Sequence, residues 1–368
     1  MISKKDNSES SLMILSRPLN NMAGGLEKSV IDLANYLSKS SEKVVLVTFE
    51  NSDSTAFYPI HSSVCWVKLT LPENRFYKYK SLRWINKLFL TKSLISQFNI
   101  RCVVAFQDGN QQLAVLLRIF CKVKIVAAER EHLSKYNFLQ KGFRRKLKHF
   151  LVLLFFDIIQ IFFEQDRNLY PKLFRNKVRV APNLIKKSGP ELSGKNSGLN
   201  GSFLFVGRFD YPKNPSVFVN ALMRSEKHGV LIGQGAEELF LREISKDYSG
   251  ITFKKPSSEI EIPYEKYIAL VNVSLWEGFP NVVAEALASG TPVIGFAQTP
   301  GVNKLVINGV NGVLISGCIN EESLSSALNR FDPQAFSKDR IIESVNNFSE
   351  NFFEESWSKI LNEITYEN

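Results

Sequence analysis

The chain repeats one pattern: a short apolar run, a glycine-bearing or polar turn, then a stretch with apolar residues every three or four positions. Leu12 to Ser16 reads as a strand, Gly24-Gly25 as a turn and Leu26 to Ser38 as a helix. Val44 to Phe49, Val103 to Phe106 and Lys124 to Ala128 read as further strands, and Leu113 to Phe120 as a helix. Short strands alternating with helices predict a parallel sheet covered on both faces. Residues 184–200 carry no periodicity and are rich in Gly, Ser and Lys, so they predict a linker. The alternation then restarts. Strands are expected at Phe203 to Val206, Val230 to Ile232, Ile251 to Phe253, Ala269 to Ser274 and Val293 to Gly295. Helices are expected at Pro215 to Met223 and from about Asn281 to Ser289, the second stopped by Gly290. Phe352, Phe353, Trp357 and Ile360 form one apolar side of a terminal helix within 345–365.

The expected architecture is α/β, with two doubly wound, Rossmann-like domains facing a cleft. Residues 1–183 form the first domain, 184–200 the linker, 201–345 the second domain and 346–368 a closing helix. A chain of 368 residues suits two domains. Ligands of such folds sit beyond the carboxyl ends of the strands.

Composition changes the picture through its asymmetry. Residues 1–180 carry 29 Lys and Arg against 14 Asp and Glu, and the rest carry 17 against 22. The first domain is therefore strongly basic, which is either a solvated face or a surface for an anionic partner. Cys65, Cys102, Cys121 and Cys318 show no metal-ligand spacing and read as small core residues in a reducing compartment. The polar start of the chain is unlike a signal peptide, and Phe150 to Phe156, the longest apolar stretch, is too short to span a bilayer. A cytoplasmic protein is expected, peripheral on the cytosolic face of the membrane.

The chemistry concentrates in Ser274 to Gly290, SLWEGFPNVVAEALASG. A strand ends, Glu277 lies in the loop, Pro280 stands where a first helical residue is favoured, and Glu285 lies more than a turn into the helix. The amides of a helix start suit phosphate or sugar hydroxyls, and two carboxylates beside them can accept hydrogen bonds from hydroxyls. The plainer alternative makes Glu277 a helix cap and Glu285 a surface residue. Arg208 and Lys213, just past another strand, suit a diphosphate clamp, or are two exposed cations.

These residues sit in a longer order that resembles the retaining glycosyltransferases of family 4, which have the GT-B fold. Glu277 and Glu285 match that family's E-x7-E motif within its EGFPN context. Val206-Gly207-Arg208-Phe209 with Lys213-Asn214, Gly233-Gln234-Gly235, Ala181-Pro182-Asn183-Leu184, and Gly24-Gly25 with Glu27-Lys28 match further segments in order. The resemblance covers about residues 12 to 315. It implies a transferase moving a sugar from a nucleotide-sugar donor, a UDP-sugar, to a glycan or lipid-linked oligosaccharide in surface polysaccharide or glycoconjugate biosynthesis. Arg208 and Lys213 would contact the diphosphate and, with Glu277, carry catalysis. Glu277 would meet the sugar and Glu285 the ribose. Gly233 and Gly278, with the amides of Phe279, Pro280's neighbour Asn281 and Val282, would line the donor. Gly24 and Gly25 would let backbone approach the pyrophosphate.

The chain departs from the family in two loops. Phe106-Gln107-Asp108-Gly109 lacks a histidine many relatives place there, and Pro300-Gly301-Val302-Asn303-Lys304 lacks a glycine and an acid. Arg130 takes a familiar polar position, and His132 is either an acceptor contact or an ordinary loop histidine. No Asp-x-Asp occurs, which agrees with a metal-independent reaction needing no cofactor.

Residues 141–163 set Lys141, Arg144, Arg145, Lys146 and Lys148 before an apolar run, and Arg75 to Lys87 interleave cations with aromatics. Each reads either as a basic helix end or as a contact with anionic lipid or a lipid-linked acceptor. Two other functions share parts of this pattern. A nucleotide-sugar epimerase has the same fold but needs a cleft histidine, and the chain has four histidines in all. A basic nucleic-acid-binding protein would suit the charge, but no such motif occurs and no nucleic-acid partner is expected.

Overall fold

A computed structural model describes residues 11–39, 43–71, 80–130, 147, 150–185, 201–257 and 261–366. They form two compact units: residues up to Pro182 with those from Glu354 on, and Asn183–Phe353.

The first unit holds a seven-stranded sheet: β1 (Ser11–Leu15), β2 (Lys43–Thr48), β3 (Cys65–Lys68), β4 (Ile100–Phe106), β5 (Lys124–Ala128), β6 (Ile158–Ile161) and β7 (Val178–Val180). The spatial order is β3-β2-β1-β4-β5-β6-β7, and every pairing is parallel. All five residues of β1 are buried, as expected where helices cover both sheet faces. The helices are α1 (Gly25–Lys39), α2 (Lys80–Gln97) and α3 (Asp108–Cys121). The chain's last helix, α10 (Glu350–Tyr366), also belongs here from Glu354 on. Trp357 is fully buried, Arg179 after β7's first residue pairs with Glu363, and Tyr36 of α1 donates to the carbonyl of Glu354. Phe353, Trp357, Ile360, Leu361 and Ile364 are its buried stripe. Phe352, expected on that side, is exposed, because one residue turns the helix by about 100°.

The second unit holds β8 (Ser202–Val206), β9 (His228–Ile232), β10 (Ile251–Lys254), β11 (Leu270–Val271), β12 (Val293–Phe296) and β13 (Gly312–Ile315). Their order is β10-β9-β8-β11-β12-β13, again all parallel. Helices α4 (Pro215–Ser225), α5 (Glu238–Ile244), α6 (Asn281–Ala288), α7 (Val302–Leu305), α8 (Glu321–Arg330) and α9 (Lys338–Glu343) surround it. Phe203, Phe205, Phe209, Phe218 and Phe296 anchor its core. The strand expected over Ala269 to Ser274 shrinks to Leu270–Val271. The Asn272 amide still donates to Ile294, but its side chain then accepts from the Ser274 amide at 3.2 Å, a local turn that ends the ladder.

These two α/β units are the architecture expected from the sequence. Of the linker expected at 184–200, residues 186–200 lie outside the described residues; Ile185 is buried. Of the cysteines, Cys102 is buried, Cys65 and Cys121 are partly buried and Cys318 is exposed, so a core role fails for Cys318.

Candidate active site

In the second unit the expected residues converge on the loops at the carboxyl ends of β8, β9 and β11. Gly207 leaves β8 donating to the Ile232 carbonyl, and Gly233 leaves β9 beside it. A Cβ at Gly233 would sit 1.9 Å from the Gly207 oxygen, so the two loops lie together only because position 233 has no side chain. The Phe209 amide donates to the Gln234 carbonyl and the Glu237 amide to that of Phe209, fixing the loop that carries Arg208. Arg208 stays about half exposed, with Asp210 at 3.2 Å.

A turn closed by Lys213 N–H to Asp210 then presents Lys213, and the Leu275 amide pins this turn by donating to Pro212 at 3.0 Å. That contact brings Lys213 to the loop after β11. Its Nζ lies 2.5 Å from Glu277 Oε1, with the two side chains 24 % and 10 % exposed. Tyr211 and Trp276, from the same two loops, meet edge to face with ring centres 5.1 Å apart. Glu277 therefore does not cap the helix: the capping position is Pro280, and its carbonyl accepts from Val283 and Ala284. Pro280 was expected as the first helical residue and instead precedes it.

The amides of Asn281 and Val282, the first two residues of α6, have no intrahelical acceptor. Gly278 and Phe279 lead into that turn, and Phe279 is buried against the Phe348 ring. The Asn281 side chain accepts from Asn183 at 2.7 Å, so the Pro182-Asn183 motif is tied to this helix start. Glu285, one turn on, is partly buried and accepts from the Tyr264 hydroxyl at 2.8 Å. Tyr264 is itself buried, and burial of the neighbouring Tyr267 raises its phenol above the usual range. The divergent loop after β12 is held by Thr299 Oγ1 donating to the Ser274 carbonyl at 2.7 Å, and it forms the short helix α7.

In the first unit, Gly24 and Gly25 stand at the start of α1, and Lys28 N–H donates to the Gly24 carbonyl. A Cβ at Gly24 would press on Oε2 of the buried Glu27, the far end of a side chain. The other carboxylate oxygen pairs with Arg17 at the end of β1. After β4, Gln107 adopts φ 71° and ψ 153°, a conformation that strains any residue but glycine. The Gln111 side chain donates to Glu129 at 3.4 Å. Arg130 lies over the rings of Phe106 and Phe162, 4.4 and 5.0 Å from their centres. Burial pulls its guanidinium down to about 9, with Glu129 opposing, so it stays charged at neutral pH. His132, Arg144, Arg145 and Lys148 lie outside the described residues.

Among the described residues no group of three or more His, Cys, Asp or Glu side chains could hold a metal ion. Lys213 and Glu277, 64 positions apart, are joined, and Gly233 joins the loop of Arg208. Sequence reasoning missed Tyr264, Arg17, Gln111 and the link between Asn183 and Asn281. Of these Asn183 and Asn281 stand in motifs; Tyr264, between Pro263 and Glu265, offers no signal at all.

Residues 196–351 match the family model described as "Glycosyl transferases group 1". The chain is 25 % identical over 361 residues to the Campylobacter jejuni GalNAc-alpha-(1->4)-GalNAc-alpha-(1->3)-diNAcBac-PP-undecaprenol alpha-1,4-N-acetyl-D-galactosaminyltransferase, covering 93 % of this chain and 96 % of that one. Sucrose-phosphate synthase from Thermosynechococcus elongatus shares the fold at a TM-score of 0.81 and 17 % identity, covering 97 % and 99 % of the two chains. The pneumococcal O-GlcNAc transferase GtfA, solved with UDP and GlcNAc, does so at 0.79 and 14 %, covering 98 % and 100 %. The matched range spans the loops that join Lys213 to Glu277 and Tyr264 to Glu285 and covers the six-stranded sheet, while the likeness to solved structures extends over both parallel sheets: the chain is a glycosyltransferase with the GT-B fold.

Proposed function

We propose that this glycosyltransferase is retaining and metal-independent, and that it moves a sugar from a UDP-sugar to a lipid-linked oligosaccharide or related glycan at an anionic membrane surface. The observation carrying this reading is the Lys213–Glu277 pair beside the start of α6.

The leaving group of such a reaction is a nucleoside diphosphate that gains negative charge as the glycosidic C–O bond breaks. Lys213, exposed Arg208 and the α6 amides supply positive charge from fixed positions, the role a divalent metal takes elsewhere. Glu277, held by Lys213, accepts from donor-sugar hydroxyls. Glu285, oriented by Tyr264, accepts from the ribose. A carboxylate already ion-paired and nearly buried is a poor nucleophile. Retention then follows from front-face attack: the acceptor oxygen bonds to the anomeric carbon as the phosphate oxygen leaves, and the acceptor proton passes to that oxygen. The α1 start at Gly24-Gly25 and the Arg130 guanidinium offer further positive sites in the first unit, the second for the acceptor. The UDP and lipid-linked assignments are supported by the ligand of GtfA and the named substrate of the Campylobacter relative.

The test is titration calorimetry with UDP and GDP, then transfer from UDP-sugars to a polyprenyl-diphosphate-linked glycan with and without EDTA. Tighter binding of UDP, an unchanged rate in EDTA and an α-linked product from an α-donor are expected. Inversion, loss of rate in EDTA, or no UDP binding would each remove the corresponding part of the reading.

A further inference from the structure

Apolar exposure is concentrated in one stretch of the molecule. Among the described residues, 17 large hydrophobic side chains are exposed, and 12 of them lie between Leu82 and Leu173. Single exposed apolar residues need no explanation, but a contiguous set does.

Contacts through polar and buried neighbours link parts of this set. On α2, Leu82, Ile85 and Phe89 follow a spacing of three and four, so they share one helix face, and they are 41 %, 51 % and 65 % exposed. One turn on, Lys92 places its ammonium 5.8 Å from the ring of Phe120, which with Ile119 forms the exposed end of α3. Arg118, beside them, pairs with Asp157, which follows exposed Leu154 and Phe155. Lys177 donates to the carbonyls of Leu154 and Phe156, and the Phe150 ring meets Phe174 next to exposed Leu173. The face thus runs from α2 across the end of α3 to the start of β7.

A hollow of about 160 Å³ opens in its midst, at the amino ends of β5 to β7, and Arg118, Lys124 and Lys177 line it with Asp157. Lys124 reaches Asp157 only at 3.9 Å, so one carboxylate serves three cations. Glu363, on the rim, is engaged by Arg179. Burial holds the Lys177 ammonium below the usual lysine range; Asp157 opposes this and Arg118 adds to it. Arg83 and Lys122 add exposed cations to the face, and α2 contains no Asp or Glu.

We propose that this face docks on an anionic lipid bilayer, its apolar side chains entering the interface and the hollow at Arg118, Lys124 and Lys177 taking a headgroup phosphate. The charge decides between occupants. A second copy meeting the same face about a two-fold axis would set cation against cation, whereas an anionic leaflet complements every one of them. The inference rests on the membrane-surface reading above and moves the contact onto residues other than Arg144, Arg145 and Lys148.

The experiment is co-sedimentation of the full chain, without donor, with phosphatidylglycerol-containing and pure phosphatidylcholine vesicles at low salt. Binding to the first and little to the second is expected. Ile85→Ser/Phe89→Ser/Phe120→Ser should weaken it about tenfold or more, since each side chain is solvated already and its replacement leaves the core intact. Lys124→Gln/Lys177→Gln should weaken binding to anionic vesicles alone, with circular dichroism confirming the fold. Full binding by the apolar variant, or none by the parent chain, overturns the proposal. So does a concentration-dependent dimer that the apolar variant abolishes. UDP affinity of both variants should be unchanged. If UDP fails to bind the parent chain while vesicles do, the donor reading fails and this one stands.

Discussion

The two sheets are built alike: each is parallel throughout, and each has its switch point beside its first strand, β1 in one unit and β8 in the other. They differ in where they keep their polar chemistry. In the second unit it lies in short loops cross-tied by hydrogen bonds: the Gly207 amide donates to Ile232, the Leu275 amide to Pro212 and the Asn183 side chain to that of Asn281. In the first unit cations and apolar side chains spread over the faces of α2, α3 and the turns before β6 and β7. A site for a small charged ligand needs a few groups held to a fraction of an ångström. A lipid surface is itself fluid and rewards area and charge. The two constructions therefore suit the two kinds of partner proposed here.

The comparison is broken most severely at Lys213. Lys213→Ala should lower the transfer rate about 100- to 1,000-fold by removing the least exposed of the positive charges that meet the departing diphosphate. If the double change Lys213→Ala/Glu277→Ala costs no more than the single one, the two side chains act as a unit. A rate within a fewfold of the parent chain would mean the loops of the second unit hold no reaction site.

Next in size is Gly233→Ala. The added methyl meets the Gly207 carbonyl, part of the backbone, so neither loop gives way cheaply. A loss of about 1–3 kcal/mol in urea unfolding is expected, with weaker UDP binding. The same stability with normal binding would show that the loops of β8 and β9 need not touch.

The smallest change is Tyr264→Phe, which removes one hydroxyl from Glu285. A hydrogen bond to a charged group supports a rise of about tenfold in donor KM, with kcat little altered. A fall in kcat at constant KM would instead place Glu285 nearer the reacting centre than the ribose.

Much of this was legible in the sequence, and for physical reasons. The strands are buried on both sides and so read as unbroken apolar runs, and β1, β2, β5 and β8 fall within a residue or two of expectation. Lys213 and Glu277 were legible because the loops holding them are short and each follows a strand. Tyr264 was not, because its partner is 21 residues away and the intervening chain carries no periodicity. The helix α2 was read only as a stretch of cations and aromatics. Its apolar residues keep helical spacing, but Leu82, Ile85 and Phe89 face solvent, and a sequence does not say which apolar stripe is covered. The shortening of β11 depended on one asparagine side chain turning back on its own backbone.

The helix α10 has a consequence in time as well as in space. Trp357, Ile360 and the partner of Arg179 follow the whole second sheet in sequence, yet they belong to the unit whose β1 begins at Ser11. During synthesis the second unit has its whole sequence before the first does. Until α10 is made, the Trp357 site on the earlier sheet stays open to water, and a message cut short before α10 would yield the second sheet joined to a first unit that lacks this helix.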